Sequence, residues 1–295
     1  MIALCLLAVG GCGQAPTHRG SDVLPAPFDG IDAVPLQQAR LLHESEERAV
    51  ATCMRQRGFP YLTVPPGRLA EENPYGLLTQ AQAAQDGYGL TAALLAGPPP
   101  DPNAKFLAQM DEGRRTAWQN ALTGSGKHER ILRAPDSPEM RINTDGCVYL
   151  GRRAFYGSSW EQTELTVSGL VVRVIAGVTS DPGFRTAQQT WADCMRGRGE
   201  SFTTVQEARG AIQGAASKAG SDRLALQNLS RRELQLAGRD ATCQRQSALV
   251  AAVRAAQKRA EAALPDASRQ QAAKLANLRK QALSSQSESM LSFRT

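Results

Sequence analysis

The chain has 295 residues, with 34 basic and 28 acidic side chains, three histidines and only 5% aromatics. That length supports one large domain or two modest ones. So few aromatics argue against a β-sandwich or barrel, while the alanine, leucine, arginine and glutamine content favours helix. There is no H-E-x-x-H or G-x-S-x-G, so the motifs of metal-dependent and elbow-type serine hydrolases are absent.

Residues 1–12 read as a lipoprotein signal segment. Ile2 to Val9 form a short apolar run, and Val9-Gly10-Gly11-Cys12 has the small-small-Cys ending of a lipobox, making Cys12 the expected lipidation site. No Lys or Arg precedes the run, a departure from the usual basic start. The segment is much shorter than the roughly 20 residues of a spanning helix. Residues 13–30 lack apolar periodicity and read as a flexible tether.

Beyond Pro35, Leu36, Ala39, Leu42, Glu46, Ala49 or Val50, and Cys53 recur at steps of three or four, which predicts a helix stopped by Gly58. Glu44, Glu46 and Glu47, with Arg40 and Arg48 spaced four residues either side of Glu44, read as its solvated face. Pro60, Pro65, Pro66 and Pro74 keep the next stretch irregular. Thr79-x-x-Gln82 is a capping box for a short helix ending near Gly87, and Gly87-Tyr88-Gly89 reads as a turn. After the proline-rich loop Gly97 to Pro102, a helix is predicted from about Glu112 to Leu122, carrying Trp118. Gly124-Ser125-Gly126-Lys127 lacks the remainder of a phosphate loop and reads as a helix-terminating loop.

Ile131-Leu132-Arg133 and Met140-Arg141-Ile142 flank Pro135-Asp136-Ser137-Pro138, the composition of a small β-hairpin within residues 130–144. Asp145-Gly146-Cys147 opens a helix ending at Gly157. Trp160 to Val178 is rich in β-branched residues. Its apolar positions Leu165, Ser168, Val172, Ile175 and Thr179 nevertheless step by three and four, which predicts a helix with that face inward. Asp181-Pro182 caps the next helix, which runs to Arg198. Thr204-x-x-Glu207 and Ser230-x-x-Glu233 are two more capping boxes, the second opening a long helix, broken at Pro265, to about Ser284. Trp118, Trp160 and Trp191 are expected in the core.

One motif occurs twice: Cys53-Met54-Arg55-Gln56-Arg57-Gly58 and Cys194-Met195-Arg196-Gly197-Arg198-Gly199. The repeat divides the body into halves, 31–157 with Cys53 and Cys147, and 158–295 with Cys194 and Cys243. These four cysteines form no C-x2-C pair and have no neighbouring histidine, so they suit two disulfides in an exported protein better than a metal site. The simplest pairing keeps each bridge within a half, although four cysteines allow three connectivities. The expected fold is mainly α, disulfide-stapled, with the one hairpin and a long C-terminal helix; neither metal nor cofactor is expected.

From Ser230 to Lys280 eleven basic residues face four acidic ones. Arg231, Arg232, Arg254, Lys258 and Arg259 are the candidate contacts to an anionic lipid surface or wall polymer. The stripe Leu249, Val253, Ala256, Ala260 and Leu264 would face inward and leave the other side of that helix charged. Export excludes nucleic acid as a partner.

Cys53-Met54 with Gly58, Gly87-Tyr88-Gly89, Trp118-x-x-Ala121-Leu122-x-Gly124, Gly146-Cys147 with Tyr156-Gly157, Trp191 with Cys194-Met195, and Asp240 with Cys243 together resemble a group of uncharacterised secreted or lipid-anchored actinobacterial proteins. The likeness spans roughly residues 35 to 285. It implies export, four paired cysteines and a mostly helical body, and it brings no activity. Glu200 departs from that pattern, which has an aromatic after the glycine, so a different local turn is expected there. The functional expectation is a non-catalytic envelope lipoprotein, anchored to the outer face of the cytoplasmic membrane, that binds or serves a complex such as a transporter. The rivals are a secreted hydrolase using scattered carboxylates and a purely structural envelope protein.

Overall fold

The computed structural model describes residues 23–31, 36–67, 73–135 and 137–292. Cys12, and with it the lipidation expectation, lies outside the described residues. In chain order the elements are α1 (Pro27–Gly30), α2 (Leu36–Gln56), α3 (Gln80–Gln85), α4 (Leu90–Ala96), α5 (Ala104–Gln109) and α6 (Glu112–Thr123). They continue with β1 (Glu129–Leu132), β2 (Met140–Asn143), α7 (Cys147–Tyr156), α8 (Trp160–Ser180) and α9 (Pro182–Arg196). Last come α10 (Val205–Ala219), α11 (Arg223–Gln246), α12 (Leu249–Ala262) and α13 (Asp266–Ser292). The strands form the expected antiparallel hairpin, with Leu132 opposite Met140 and Glu129 opposite Asn143. It is the one sheet among the described residues.

The repeated motif builds the same object twice. Gly58 donates to the Arg55 carbonyl and Phe59 to that of Met54; Gly199 donates to Arg196 and Glu200 to Met195, each at 3.0 Å. Both are Schellman turns closed by a glycine at positive φ (79° and 82°). Met54 and Met195, each four residues before the turn glycine, are 0% exposed. The preceding cysteine of each copy is bridged, Cys53 to Cys147 and Cys194 to Cys243. Glu200 therefore does not alter the turn. Where Phe59 packs on the Met54 core, Glu200 instead takes Arg232 and Arg239 as partners, at 2.5 Å each.

The halves interlock. One core gathers Trp191, Met195, Leu236, Cys243, Leu249 and Val253 from the second half, together with Tyr75, Leu77, Ala83 and Tyr88 from the first. A separate core around Met54, Trp118 and Cys147 belongs to the first half. A third joins Leu42, Tyr156, Trp160 and Val167 to Ala272, Leu275 and Ala282 of α13, which folds back over α2, α7 and α8.

Several expectations are corrected. α8 is a helix as predicted, but it buries Trp160, Thr163, Val167, Leu170, Val174 and Val178. The face through Leu165 and Ser168 is outward, and Val172 is 59% exposed. Both faces are apolar, and the side that meets α12 and α13 is the buried one. α8 is long and apolar enough by composition to cross a membrane, and nearly half of its most apolar stretch is buried within the body. Ser230 caps nothing: α11 starts earlier, at Arg223, with Asp222 accepting from Leu224 and Ala225. The expected long helix is also divided at Ser247-Ala248, where Ala248 has φ 52°. Glu46 and Glu47 are not a solvated face; both are half-buried and bonded across the fold. Residues 23–30 are not tether: Arg254 donates to the Val23 carbonyl, Gln257 to that of Ala26, and the Phe28 N–H to Glu261. α4 and α5 lie in stretches for which the sequence predicts no element, and α10 follows its expected capping box.

Each bridge closes a long loop, 94 residues for Cys53–Cys147 and 49 for Cys194–Cys243. Replacing either pair by serine is expected to cost about 4 kcal/mol on the chain-entropy estimate, measured by denaturant unfolding. Peptide mapping without reduction should recover these two linkages and no others among the four cysteines.

Candidate functional site

The densest polar assembly lies on one face of α11. Glu233, Asp240 and Gln244 fall at i, i+7 and i+11, so a helix of 3.6 residues per turn stacks them along one stripe. All three are buried, at 1% exposure or less. The stripe meets residues 73–96, a strap leading through α3 and α4.

Each acceptor takes a distinct part of the strap. Gln244 Oε1 accepts from the Leu78 N–H at 3.0 Å, and its amide donates to the Gly76 carbonyl at 3.1 Å. Asp240 accepts from the Tyr88 hydroxyl at 2.9 Å, the Trp191 indole at 2.8 Å and the Gln244 amide at 2.8 Å. Glu233 accepts the N–H groups of Tyr88, Leu90 and Thr91 at 3.0, 2.8 and 2.9 Å, and also the Thr91 hydroxyl.

Glu233 is therefore the N-terminal cap of α4, supplied from another helix. Gly89 precedes α4 in a left-handed conformation and has no side chain to offer. Gly87 must be glycine for a second reason. A Cβ there would stand 2.9 Å from Glu233 Cγ, and its φ is +64°. The expected turn at Gly87-Tyr88-Gly89 is thus a cradle for a buried carboxylate. The local pattern pairs Glu233 with Ser230; its partners in the fold lie more than 140 residues away in sequence. The signal that could have found it is a run of polar residues at apolar helix positions, beside Leu226, Leu236 and Cys243.

Burial pushes the Asp240 carboxyl up to about 6, against the pull of its three hydrogen bonds. The Tyr88 hydroxyl is pushed up as well, first by burial and then by the Asp240 charge. Glu200 goes the other way: hydrogen bonding from Arg232 holds its carboxyl below the usual range.

A second polar cluster joins α2, α7, α8 and α13. Glu46 accepts from the Tyr156 hydroxyl at 2.6 Å and from Arg152 at 3.2 Å. Tyr156 stacks on Trp160 at 3.7 Å, and the Arg279 guanidinium lies 5.6 Å from the Trp160 ring centre. Burial raises the Glu164 carboxyl despite Arg152 and Arg279 nearby. Glu161 is buried in the first turn of α8, and among the described residues neither of its oxygens meets a donor group; the helix N-terminus supplies a favourable field there. Glu46 is fully engaged in binding helices together, and its aromatic neighbours are buried.

The five expected surface cations do not converge. Arg232 is tied to Glu200, Arg259 chelates Asp181 on α9 at 2.7 and 3.0 Å, and Arg231 donates to Asn228 within its own helix. Arg254 and Lys258 remain exposed on α12, one turn apart. An open groove of about 450 Å³ between α10 and α11 is lined by Ala215, Lys218, Ala219, Ala225 and Leu229, an apolar surface with one cation. Among the described residues no group of three His, Cys, Asp or Glu is placed to hold a metal ion. No protein-family model, curated protein or solved structure matches this chain.

Glu233→Ala would strand three buried N–H groups of the strap. At about 1–3 kcal/mol for each unsatisfied donor, the loss should exceed about 3 kcal/mol. Glu200→Ala, which leaves two half-exposed arginines free to reach water, should cost clearly less. Urea titration of both variants checks the order.

Proposed function

We propose that the protein is an exported envelope lipoprotein, held at the outer face of the cytoplasmic membrane through Cys12, with a non-catalytic binding or accessory role. The observation that carries this reading is the pair of disulfides, Cys53–Cys147 and Cys194–Cys243, in a chain whose first twelve residues have a lipobox pattern. Disulfides of this kind persist in oxidising compartments. A lipidated cysteine carrying a diacyl group supplies two acyl chains, enough for stable attachment.

The binding face in this reading is the outer side of α12. The carbonyl of Val23, the first described residue, is held by Arg254, and Lys258 lies one turn further along. Val23 is eleven residues beyond Cys12, a span of at most about 40 Å when extended. In this reading Arg254 and Lys258 are the exposed cations nearest in structure to Val23 on the anchor side of the sequence. Anionic lipid headgroups are the partner that two exposed cations fit, at about 1 kcal/mol each. The remaining expected cations, Arg231, Arg232 and Arg259, are engaged within the protein.

Expression of the full chain in a bacterial host, followed by fractionation, tests the anchor. The protein should partition with membranes, and Cys12→Ala should release it. Binding of the unlipidated chain to vesicles of anionic and of neutral lipid tests the face. Arg254→Glu with Lys258→Glu should weaken binding to the anionic vesicles by about tenfold or more, and added salt should erase the difference. Equal binding to both vesicle types would remove the lipid partner while leaving the anchor standing.

A further inference from the structure

Asp240 differs from the other buried acids around it. Glu200 lies between two guanidiniums, and Glu233 sits in a ring of N–H groups at a helix start. Asp240 is 0% exposed, and its three partners, a phenol, an indole and an amide, are all neutral. A carboxylate in that setting carries its desolvation cost without a counter-charge.

The titratable and charged groups around it are few. The strap offers Tyr88, and Arg209 of α10 donates to the Tyr88 carbonyl from behind. After α9 comes Glu200, closed off by Arg232 and Arg239 of α11. Glu233 lies seven residues earlier on the same helix, saturated by the strap. α12 presents Leu249, Val253 and Ala256 to this core. The neighbouring sulfurs of Cys194 and Cys243 are bridged and do not titrate.

We propose that Asp240 is a proton-operated latch: uptake of one proton tightens the attachment of the 73–96 strap and of α9 to α11. The geometry accommodates both protonation states. With the carboxylate ionised, Tyr88 donates to Oδ2 and Trp191 and Gln244 donate to Oδ1. When Oδ2 takes up the proton it donates to the Tyr88 oxygen instead, since a phenol can donate or accept. The bonds from Trp191 and Gln244 are unaffected, and the buried charge is gone.

The sign follows from linkage. The folded-state value, about 6, lies above the ordinary 3.8. The stabilisation is therefore complete below about pH 4 and is lost as the pH rises through about 6. Above about pH 5 the Glu200 ion pairs stay intact, because that carboxyl is held low. The chain also carries three histidines and the raised Glu164 carboxyl, so comparison with Asp240→Asn, and not the interval from about pH 5 to about 7.5 alone, isolates Asp240.

The full, oxidised chain should unfold at a higher temperature at about pH 5 than at about 7.5; the two-unit shift corresponds to roughly a hundredfold in the unfolding equilibrium over its whole range, of which about tenfold falls within this interval. The indole N–H resonance of Trp191 should titrate with a midpoint near 6, and hydrogen exchange at Tyr88, Leu90 and Thr91 should slow on acidification after correction for intrinsic rates. Asp240→Asn keeps one acceptor for Trp191 and Gln244 and offers an amide donor to Tyr88, so it should fold, lose the Trp191 titration and the slowing of exchange, and lose the Asp240 share of the pH-dependent stability. Tyr88→Phe removes one stabilising bond to the charged form and should move the Trp191 midpoint upward. The latch is overturned if the Trp191 resonance stays fixed across this interval, or if wild type and Asp240→Asn share one pH dependence.

Discussion

The architecture depends on a polar stripe buried on an otherwise apolar helix face. Glu233, Asp240 and Gln244 of α11 cannot return to water without breaking the core around Trp191, so each must find donors inside it. The strap supplies them: backbone N–H groups for Glu233, a phenol for Asp240 and a main-chain pair for Gln244. The interaction is specific in a way that apolar packing is not. Leucines at these positions would let the strap slide, whereas an acid with three or four directed bonds fixes its register. Placement of α3 and α4, and through Tyr75 and Leu77 of the packing above Trp191, follows from that register.

What could be read from sequence was whatever depends on neighbours in sequence. The capping boxes at Thr79 and Thr204, the Asp181 cap and the hairpin all formed where their local patterns lie. So did the two Cys-Met-Arg-x-Arg-Gly helix ends. The failures share a cause: a local pattern was accepted where a distant partner decides. Ser230-x-x-Glu233 satisfies the capping-box pattern, yet Glu233 spends its oxygens on α4. α8 has two apolar faces, and only the presence of α12 and α13 on one of them selects which is buried. The polar stripe was the least legible feature, because a buried acid and an exposed one look alike in sequence. Gly87 gives no separate clue, because its positive φ already favours glycine in a turn; only the polar residues at apolar positions of α11 point to the stripe.

The two copies of the repeat show one backbone solution carrying different chemistry. A Schellman turn places the residue after its glycine against the third-last residue of the helix, normally an apolar contact. Phe59 keeps that contact with the Met54 core. Glu200 puts an anion at the negative end of the α9 dipole, an unfavourable position by itself. Arg232 and Arg239 reverse the sign of the local field, and hydrogen bonding from Arg232 holds the Glu200 carboxyl low. The turn is unchanged because its two backbone bonds and its glycine are unchanged. The substitution instead commits two arginines of α11, seven residues apart, to a single carboxylate.

That commitment alters how the basic C-terminal region is understood. Counted along the sequence, it carries a large excess of positive charge that suggests an extended anionic contact. In space, Glu200 takes two of those charges and Asp181 a third, while the carbonyls of Val23 and Ile31 are held by Arg254 and Arg279. Several of these arginines thus join helices and the N-terminal segment, work for which a planar, multidentate guanidinium is better shaped than an ammonium. The predominance of arginine over lysine in this region then has a structural use. Cations left exposed without such a role, among them Arg245, Lys258, Lys274 and Lys280, are spread over α11, α12 and α13 and form no single run.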